Sequence, residues 1–137
     1  MKKLLIINLI LIILFSISCV KDKKNGIFVG RSQSIYKSEP FVGFVKLKLT
    51  NGVIDSVDFM IIDTLNNEIF DENYERHYKG NDEYIKQCRN DCNGIKYYKK
   101  RLIEVKDINK VNAITGATWS YNIFKDCVNI ALKESKK

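Results

Sequence analysis

The segment Thr115-Gly116-Ala117-Thr118 combines the residue types that hold a phosphate group. Thr118 supplies a hydroxyl directly in front of an amphipathic stretch, where a helix begins with unpaired backbone N–H groups and the positive end of its dipole. Gly116 allows a positive φ, and Ala117 keeps the backbone open to approach. This spacing predicts a phosphorylated ligand near Thr118. A structural alternative stays open, in which Thr118 or Ser120 caps the helix and Gly116 only makes the turn.

The cysteines and the single histidine offer less chemistry. Cys88 and Cys92 lie four residues apart, which fits either a local disulfide or two free thiols, and a metal site is less favoured because no partner motif accompanies them. Cys127 falls on an apolar helix face and is interpreted as a small buried hydrophobic residue. His77 is the only histidine, so hydrolytic acid–base chemistry has little support. We predict no catalytic residue and no metal site.

The clearest element that positions these residues is a β-hairpin. Two β-rich runs, residues 41–50 and 53–62, flank Asn51-Gly52, the preferred pair for a two-residue type I′ turn. The turn places Lys48 opposite Asp55, and a change in the parity of the apolar residues predicts a bulge near Asp55 or Ser56. An earlier strand opens at NGIFVG, with glycines at its two ends. A twisted antiparallel sheet is therefore the expected base of the domain.

Helices are expected to cover this sheet. The middle of the chain predicts two helical pieces, residues 82–92 and about 95–106, separated at Asn93-Gly94. After Thr118, apolar residues recur at helical spacing and form one stripe: Ile123, Phe124, Cys127, Val128, Ala131 and Leu132. The predicted fold is α+β, with a C-terminal amphipathic helix and one or two middle helices on the sheet. At 137 residues with 45% hydrophobic content, residues 26–137 form one domain.

The first residues predict export and a lipid anchor. Residues 1–18 have the Lys-rich start, apolar centre and small-residue end of a secretory signal peptide, and Cys19 follows at once. The sequence before Cys19 resembles a bacterial lipobox, although Ser16 stands where Leu is usual. Cys19 is then the lipidated residue and 19–25 a tether, while an uncleaved anchor and plain secretion are alternatives.

Charge agrees with a position beside a membrane. The chain has 23 Lys and Arg against 16 Asp and Glu, and Lys21, Lys23 and Lys24 follow Cys19 directly, where they either meet anionic headgroups or form a solvated tether. Nucleic acid is the other reading of a basic chain, but predicted export and the lack of a nucleic-acid motif argue against it. We expect a lipoprotein on the extracytoplasmic face of the cell membrane.

Four segments together resemble the FMN-binding domain family of exported bacterial redox proteins. The signature of that family is an acidic residue, two variable positions, Ser or Thr, Gly, Ala, then Thr or Ser, and here it reads NAITGAT, residues 112–118. NGIFVG matches the opening of the family, VKLKLTNGVIDSVDF its hairpin, and WSYNIFKDCVNIAL its closing helix. The resemblance runs from about residue 25 to 132 in the expected order.

This resemblance implies that FMN is the cofactor and Thr118 its attachment residue. In the family, a flavin transferase moves FMN from FAD onto the last Thr of the signature as a phosphoester. Thr115 and Gly116 then shape the loop and Ala117 leaves it accessible. Asn112 departs from the usual Asp, which keeps the hydrogen-bonding shape and loses the charge, so slower or absent modification is an alternative.

The remaining expectations concern neighbours of Thr118 and the role of the whole protein. Trp119 either stacks on the isoalloxazine or packs under the sheet, and Ser120 completes the expected cofactor-binding set. The implied function is a membrane-anchored flavoprotein that carries electrons from a membrane donor such as a dehydrogenase, without necessarily being an enzyme. Two alternatives are a surface lipoprotein that acts as a binding module without flavin, and thiol–disulfide exchange through Cys88 and Cys92.

Overall fold

The computed structural model describes residues 24–36 and 38–137, and within them an antiparallel sheet carries two long helices. The strands are β1 (Gly26–Gln33), β2 (Phe41–Thr50), β3 (Val53–Asp63) and β4 (Glu68–Ile69), and they lie side by side in chain order. Helix α1 is Asp82–Val105 and helix α2 is Thr118–Glu134; short 3₁₀ helices span Glu72–Tyr78 and Ile108–Lys110. The predicted α+β fold class is confirmed.

The hairpin between β2 and β3 has the predicted turn and bulge, but the prediction that Lys48 lies opposite Asp55 in the register is wrong, because the bulge moves Lys48 to Ser56. Asn51 and Gly52 both have positive φ, 53° and 74°, as a type I′ turn requires. Leu49 pairs with Ile54 while Lys48 pairs with Ser56, so Asp55 is the extra residue of the predicted bulge. The Lys48 ammonium still lies 2.9 Å from the Asp55 carboxylate.

Helix α2 packs its apolar stripe on the sheet. The residues of that stripe with no exposed surface are Ile123, Phe124, Cys127, Val128 and Ala131, and they face buried β2 and β3 side chains such as Leu47 and Ile61. Strand β1 continues past Gly30 to Gln33, so the prediction that Gly30 ends the strand is wrong. Gly30 is needed for another reason: a Cβ there would lie 1.8 Å from the Cys127 carbonyl oxygen. The absence of a side chain lets α2 lie close to β1.

The predicted break of the middle helix at Asn93-Gly94 is wrong, because α1 runs without interruption through both residues. The physical reason is again close packing. A Cβ on Gly94 would lie 2.6 Å from the Ala117 Cβ, so Gly94 marks a contact between α1 and the start of α2 rather than a helix end. The helix ends instead at Lys106, which has a left-handed conformation (φ 58°).

Neither helix in the described part of the chain is long and apolar enough to cross a bilayer. The predicted signal peptide, Cys19 and residues 19–23 of the tether lie outside the described residues.

Candidate functional site

Thr118 is the first residue of α2, and its side chain is exposed. The N-cap residue is Ala117, which has no hydroxyl, and no side chain of the helix itself caps the start. Ser120 is fully buried; its hydroxyl donates to the Asp91 carboxylate (2.7 Å) and has the Ala117 carbonyl as a second acceptor within reach (3.1 Å). The alternative in which Thr118 or Ser120 caps the helix is therefore wrong, and among the described residues the Thr118 hydroxyl has no hydrogen-bond partner.

The cap of α2 comes from α1. Asp91 accepts a hydrogen bond from the Ser120 backbone N–H at 3.1 Å, and the Ala117 N–H donates to the Ile114 carbonyl at 3.1 Å. Within residues 24–36 and 38–137, the backbone N–H groups of Thr118 and Trp119 have no acceptor. Two unpaired N–H groups at the positive end of a 17-residue helix form an anion-binding geometry directly beside the Thr118 hydroxyl.

The loop before Thr118 is fixed by side chains of α1. Gln87 donates to the Gly116 carbonyl at 2.8 Å, and Tyr98 donates to the Ala117 carbonyl at 2.9 Å while accepting from the Ile114 N–H at 3.1 Å. Gly116 has φ +81°, as the sequence predicts, and a Cβ there would lie 2.6 Å from the Asn90 amide nitrogen. The turn therefore needs glycine both for its backbone conformation and for space.

Ala117 was predicted to leave the loop accessible, and Thr115 and Asn112 were predicted to belong to the cofactor site. Ala117 is fully buried against Gly94, so helix packing explains its small side chain, and that side chain is not turned toward an approaching ligand. Thr115 and Asn112 are exposed on the loop. Thr115, Asn112 and Thr118 thus share one solvent-facing segment, in which Thr118 alone is helical.

A cleft with a volume of about 220 Å³ lies beside this loop. Trp119 on its wall meets the Phe41 ring edge to face at 5.1 Å, and its indole N–H donates to the Glu39 carboxylate at 2.8 Å. Trp119 therefore both packs against the sheet and lines the cleft, so neither predicted alternative excludes the other. The remaining lining residues are Phe70, Tyr78, Tyr84, Gln87, Cys88 and Asp91. Gln87 connects the cleft to the loop through its bond to Gly116.

The electrostatic character of the cleft comes from two carboxylates. Asp91 is 2% exposed, and burial raises its pKa although Ser120 and Gln87 donate hydrogen bonds to it; the nearby Glu39 charge adds to the increase. Among its described lining residues the cleft has Glu39 and Asp91 and neither Lys nor Arg. An anionic group is thus favoured at the start of α2 and not inside the cleft.

Sequence reasoning missed the residues that α1 and the sheet contribute. Asp91 occupies a buried position of α1 among Cys88, Cys92 and Ile95. A carboxylate among apolar residues on one helix face is the sequence feature that could have identified it. The other missed residues are Glu39, Phe41, Phe70 and Gln87, and nothing in their local pattern connects them to the loop. Tyr78 and Tyr84 also line the cleft, whereas Tyr98 holds the loop through its hydrogen bond to the Ala117 carbonyl.

The cysteines are free thiols in a buried environment. Cys88, Cys92 and Cys127 are not paired, which removes the disulfide alternative in this structure, and Cys127 is a buried apolar residue as predicted. Burial raises the pKa of the Cys88 thiol, and it raises those of Cys92 and Cys127 to about 12. Reactive exchange thiols need a lowered pKa, so these residues do not fit thiol–disulfide exchange.

Comparison with known proteins agrees with this geometry. The sequence profile of the FMN-binding domain family matches residues 37–133, while none of the curated proteins matches the chain. The crystal structure of the CPE2226 protein from Clostridium perfringens aligns with a TM-score of 0.60 and 22% identity over 82% of this chain and 88% of that one. A solution NMR structure from Clostridium thermocellum has a TM-score of 0.48 and 20% identity over 83% of this chain and 93% of that one.

The two solved structures differ in what they support. At 22% identity the first shows a shared fold alone, and the second, with a TM-score below one half, carries no argument. The family match covers most of the chain, including the loop, the cleft and α2. The chain therefore belongs to the FMN-binding domain family and is a flavin-binding module whose cofactor is FMN.

Proposed function

We propose that the protein is a membrane-anchored flavoprotein of the extracytoplasmic face that carries FMN as a phosphoester on Thr118 and passes electrons through it. The observation that carries the proposal is the position of Thr118. Its hydroxyl is exposed, does not cap α2, and stands next to two backbone N–H groups without acceptors in the described chain. A hydroxyl so placed suits a covalently held phosphate better than any structural role.

The site has one group of residues that fits the phosphate of FMN and another that fits its ring system. The N–H groups of Thr118 and Trp119 would hold the phosphate, since helix starts favour anions. The apolar rings of Phe41, Tyr84 and Trp119 would meet the planar ring system in the cleft. At about 220 Å³ the cleft is smaller than typical ligand pockets of roughly 300–1,000 Å³, so the ribityl chain would lie outside it, over the loop. Bound FMN supplies the redox chemistry.

Attachment requires a reaction that this chain does not catalyse. The Thr118 oxygen forms a bond to the FMN phosphorus of FAD, the bond from that phosphorus to the bridging pyrophosphate oxygen breaks, and AMP leaves with that oxygen. The hydroxyl proton passes to a base of the flavin transferase, because a threonine hydroxyl is a poor nucleophile at its own pKa. Thr115 and Gly116 present the loop, and Gln87 and Tyr98 of α1 keep it in place.

Asn112 is the residue that tests how closely the chain follows its family. It lies exposed on the same loop and supplies an amide where the family signature has a carboxylate. If that charge helps to hold a cation of the transferase, modification of this chain is slow. Asn112→Asp is then expected to raise the rate of FMN transfer.

Membrane anchoring and the electron partners are supported by the sequence alone. Cys19 is the proposed lipidation site, and a membrane dehydrogenase is the proposed class of electron donor. FMN supplies redox chemistry, and the described residues 24–36 and 38–137 offer no acid–base cluster for other chemistry, which suits an electron carrier better than a stand-alone enzyme.

The test is coexpression of the full chain with and without a flavin transferase, followed by intact-mass measurement and peptide mapping. The wild-type protein should gain one FMN phosphoester on the peptide containing Thr118 and give a fluorescent band in a denaturing gel. Thr118→Ala should abolish both signals. Ser56→Ala, which removes an exposed hydroxyl on β3 outside this loop, should retain them. An unmodified Thr118 peptide in the presence of active transferase would refute attachment.

The alternative function is a surface lipoprotein that keeps the fold and binds partners without covalent flavin. Asn112 is the one feature that favours it. This alternative predicts that neither the wild-type chain nor Asn112→Asp acquires fluorescence beside the transferase, although both fold.

A further inference from the structure

Five exposed lysines gather at the end of the molecule opposite the flavin loop, and we call this surface the lysine face. Lys106, Lys133 and Lys136 line one shallow cavity with a volume of about 280 Å³. Lys110 is the last residue of the short 3₁₀ helix Ile108–Lys110, which borders the cavity, and Lys24 lies at the start of the described chain. All five are exposed to solvent.

The fold brings these lysines together because three elements end at the same place. Helix α1 ends before Lys106, and α2 ends in the turn that contains Lys133 and Lys136. Both helix ends lie beside the β2–β3 turn, where Gly52 and Ile54 line the same cavity. The Lys24 carbonyl accepts a hydrogen bond of 2.9 Å from the Gly52 N–H. The first 23 residues therefore join the fold at the lysine face.

The lysine face keeps a positive excess after the nearby negative groups are counted. Glu134 is paired with Lys137 (2.7 Å) and Asp55 with Lys48 (2.9 Å), so each of these carboxylates has its own cation. Asp107 lines the cavity and accepts a hydrogen bond from the Asn109 N–H. The two helix C-termini add about half a negative charge each, which one or two lysines would offset.

The lysines exceed what the helix ends require, and two further features indicate a ligand surface. Lys106 donates to the Ile54 carbonyl at 2.6 Å, and this contact holds its ammonium group at the rim of the cavity. Val53, at the tip of the adjacent hairpin, is 49% exposed. Clustered ammonium groups with an exposed apolar side chain beside them match a surface of anionic headgroups over an apolar layer.

We infer that the lysine face docks on anionic membrane lipids and sets the orientation of the domain on the bilayer. This inference deepens the membrane part of the proposed function and rests on the membrane location proposed there, but neither on the lipid at Cys19 nor on flavin attachment. Docking would place Thr118 away from the bilayer, because α2, with its 17 residues, separates its two ends by about 25 Å. The site of modification then faces the aqueous compartment.

The test is lysine footprinting of the full chain with vesicles of phosphatidylcholine alone or of phosphatidylcholine mixed with phosphatidylglycerol. A limiting amine-acetylating reagent is followed by peptide mass measurement. Lys106, Lys133 and Lys136 should label about fivefold more slowly on the anionic vesicles, the factor equivalent to roughly 1 kcal/mol per lysine at such a surface. High salt should remove the protection. Lys79 and Lys86, both exposed and far from this face, are the internal references.

Matched variants make the result specific. Lys133→Gln with Lys136→Gln should reduce the protection of Lys106, whereas Lys79→Gln with Lys86→Gln, an equal loss of charge elsewhere, should leave it unchanged. If the chain sediments with both kinds of vesicle and the lysines label equally on both, the inference is overturned, because the lipid anchor alone would then explain the binding. Sedimentation with anionic vesicles only would support the lysine face and refute the anchor. Sedimentation with neither, or protection by polyglutamate but not by vesicles, would overturn docking on lipid.

Discussion

Asp91 is the residue whose removal should most directly loosen the start of α2. Its carboxylate lies on α1, is 2% exposed, and accepts hydrogen bonds from the Ser120 N–H, the Ser120 hydroxyl and the Gln87 amide. Asp91→Ala removes all three hydrogen bonds at once. The Ser120 donors are buried, whereas Gln87 is exposed and can turn to water.

The expected loss follows from the Ser120 N–H, the donor that would remain without a partner, because the Ser120 hydroxyl still has the Ala117 carbonyl at 3.1 Å. A buried donor left unsatisfied costs about 1–3 kcal/mol, so the loss in the free energy of unfolding should lie near ~2 kcal/mol. A domain of this size is stable by roughly 5–15 kcal/mol, so the variant should still fold. The loss should be accompanied by weaker FMN transfer to Thr118, because the same bonds position the first turn of α2.

Urea unfolding followed by circular dichroism measures the change. Asp126→Ala, which removes an exposed carboxylate from α2, is the matched control and should change stability by no more than about 0.5 kcal/mol. If Asp91→Ala unfolds with a free energy within about 1 kcal/mol of the wild type, the cap does not hold α2 and the reasoning fails.

The pH dependence of the free energy of unfolding provides a second test of the role of Asp91. Burial raises the pKa of Asp91 in the folded protein, while an unfolded chain has an aspartate pKa of about 3.9. Between those values the folded state binds more protons than the unfolded state, so this residue makes stability fall as pH rises. Asp91→Asn removes that contribution. The free energy of unfolding of the variant should therefore improve relative to wild type as pH increases through this window, and a constant difference would contradict the shift.

Two further predictions concern the turn and the thiols. Gly116→Ala should destabilise the protein by more than Gly80→Ala in urea unfolding: both residues have positive φ, at a cost of roughly 1–2 kcal/mol, but only a Cβ at Gly116 meets a neighbour, the Asn90 amide, at 2.6 Å. Equal losses would show that Asn90 does not restrict the loop. Cys88, Cys92 and Cys127 should react with iodoacetamide near neutral pH only as fast as the protein unfolds, because burial raises their pKa values; rapid labelling of native Cys88 and Cys92 would restore the exchange hypothesis.

The sequence was most informative where local chemistry decides the structure. Asn51-Gly52 determines a type I′ turn by its own backbone preferences, and the apolar stripe of α2 has a period that only a helix satisfies. The bulge at Asp55 could be predicted because a single extra residue changes which side chains face the core. In each case the information lies within about a dozen neighbouring residues.

Contacts between distant segments explain the errors. Gly94 and Gly30 resemble helix and strand ends in the sequence, yet each is a place where another backbone or side chain comes too close for a Cβ. Their partners, Ala117 and Cys127, are about 23 and 97 positions away, so no local pattern contains the reason. The cleft is similar, since Glu39, Gln87 and Trp119 meet only after the sheet and both helices have formed.

The residue types of the loop could be predicted from the sequence, but the contacts from α1 that hold the loop could not. Thr118 and Gly116 follow from the signature and from what a helix start can bind, whereas Asp91 as a cap supplied from α1 depends on how the helices pack. This difference has a functional consequence. Because α1 carries the cap of α2 and the bonds to Gly116 and Ala117, substitutions on α1 should alter flavin attachment without touching the signature.

The directions of the helices connect the two proposed surfaces. Both α1 and α2 end at the lysine face, while α2 begins at Thr118, and the stripe of α2 is fully buried on the sheet except for the half-buried Leu132. A helix packed in this way cannot bend toward the bilayer without exposing that stripe. If the lysine face rests on lipid, the flavin would be held about 25 Å above the headgroups. A membrane donor would then have to project from the bilayer to reach it, whereas a transferase or an acceptor in the aqueous compartment would reach it directly.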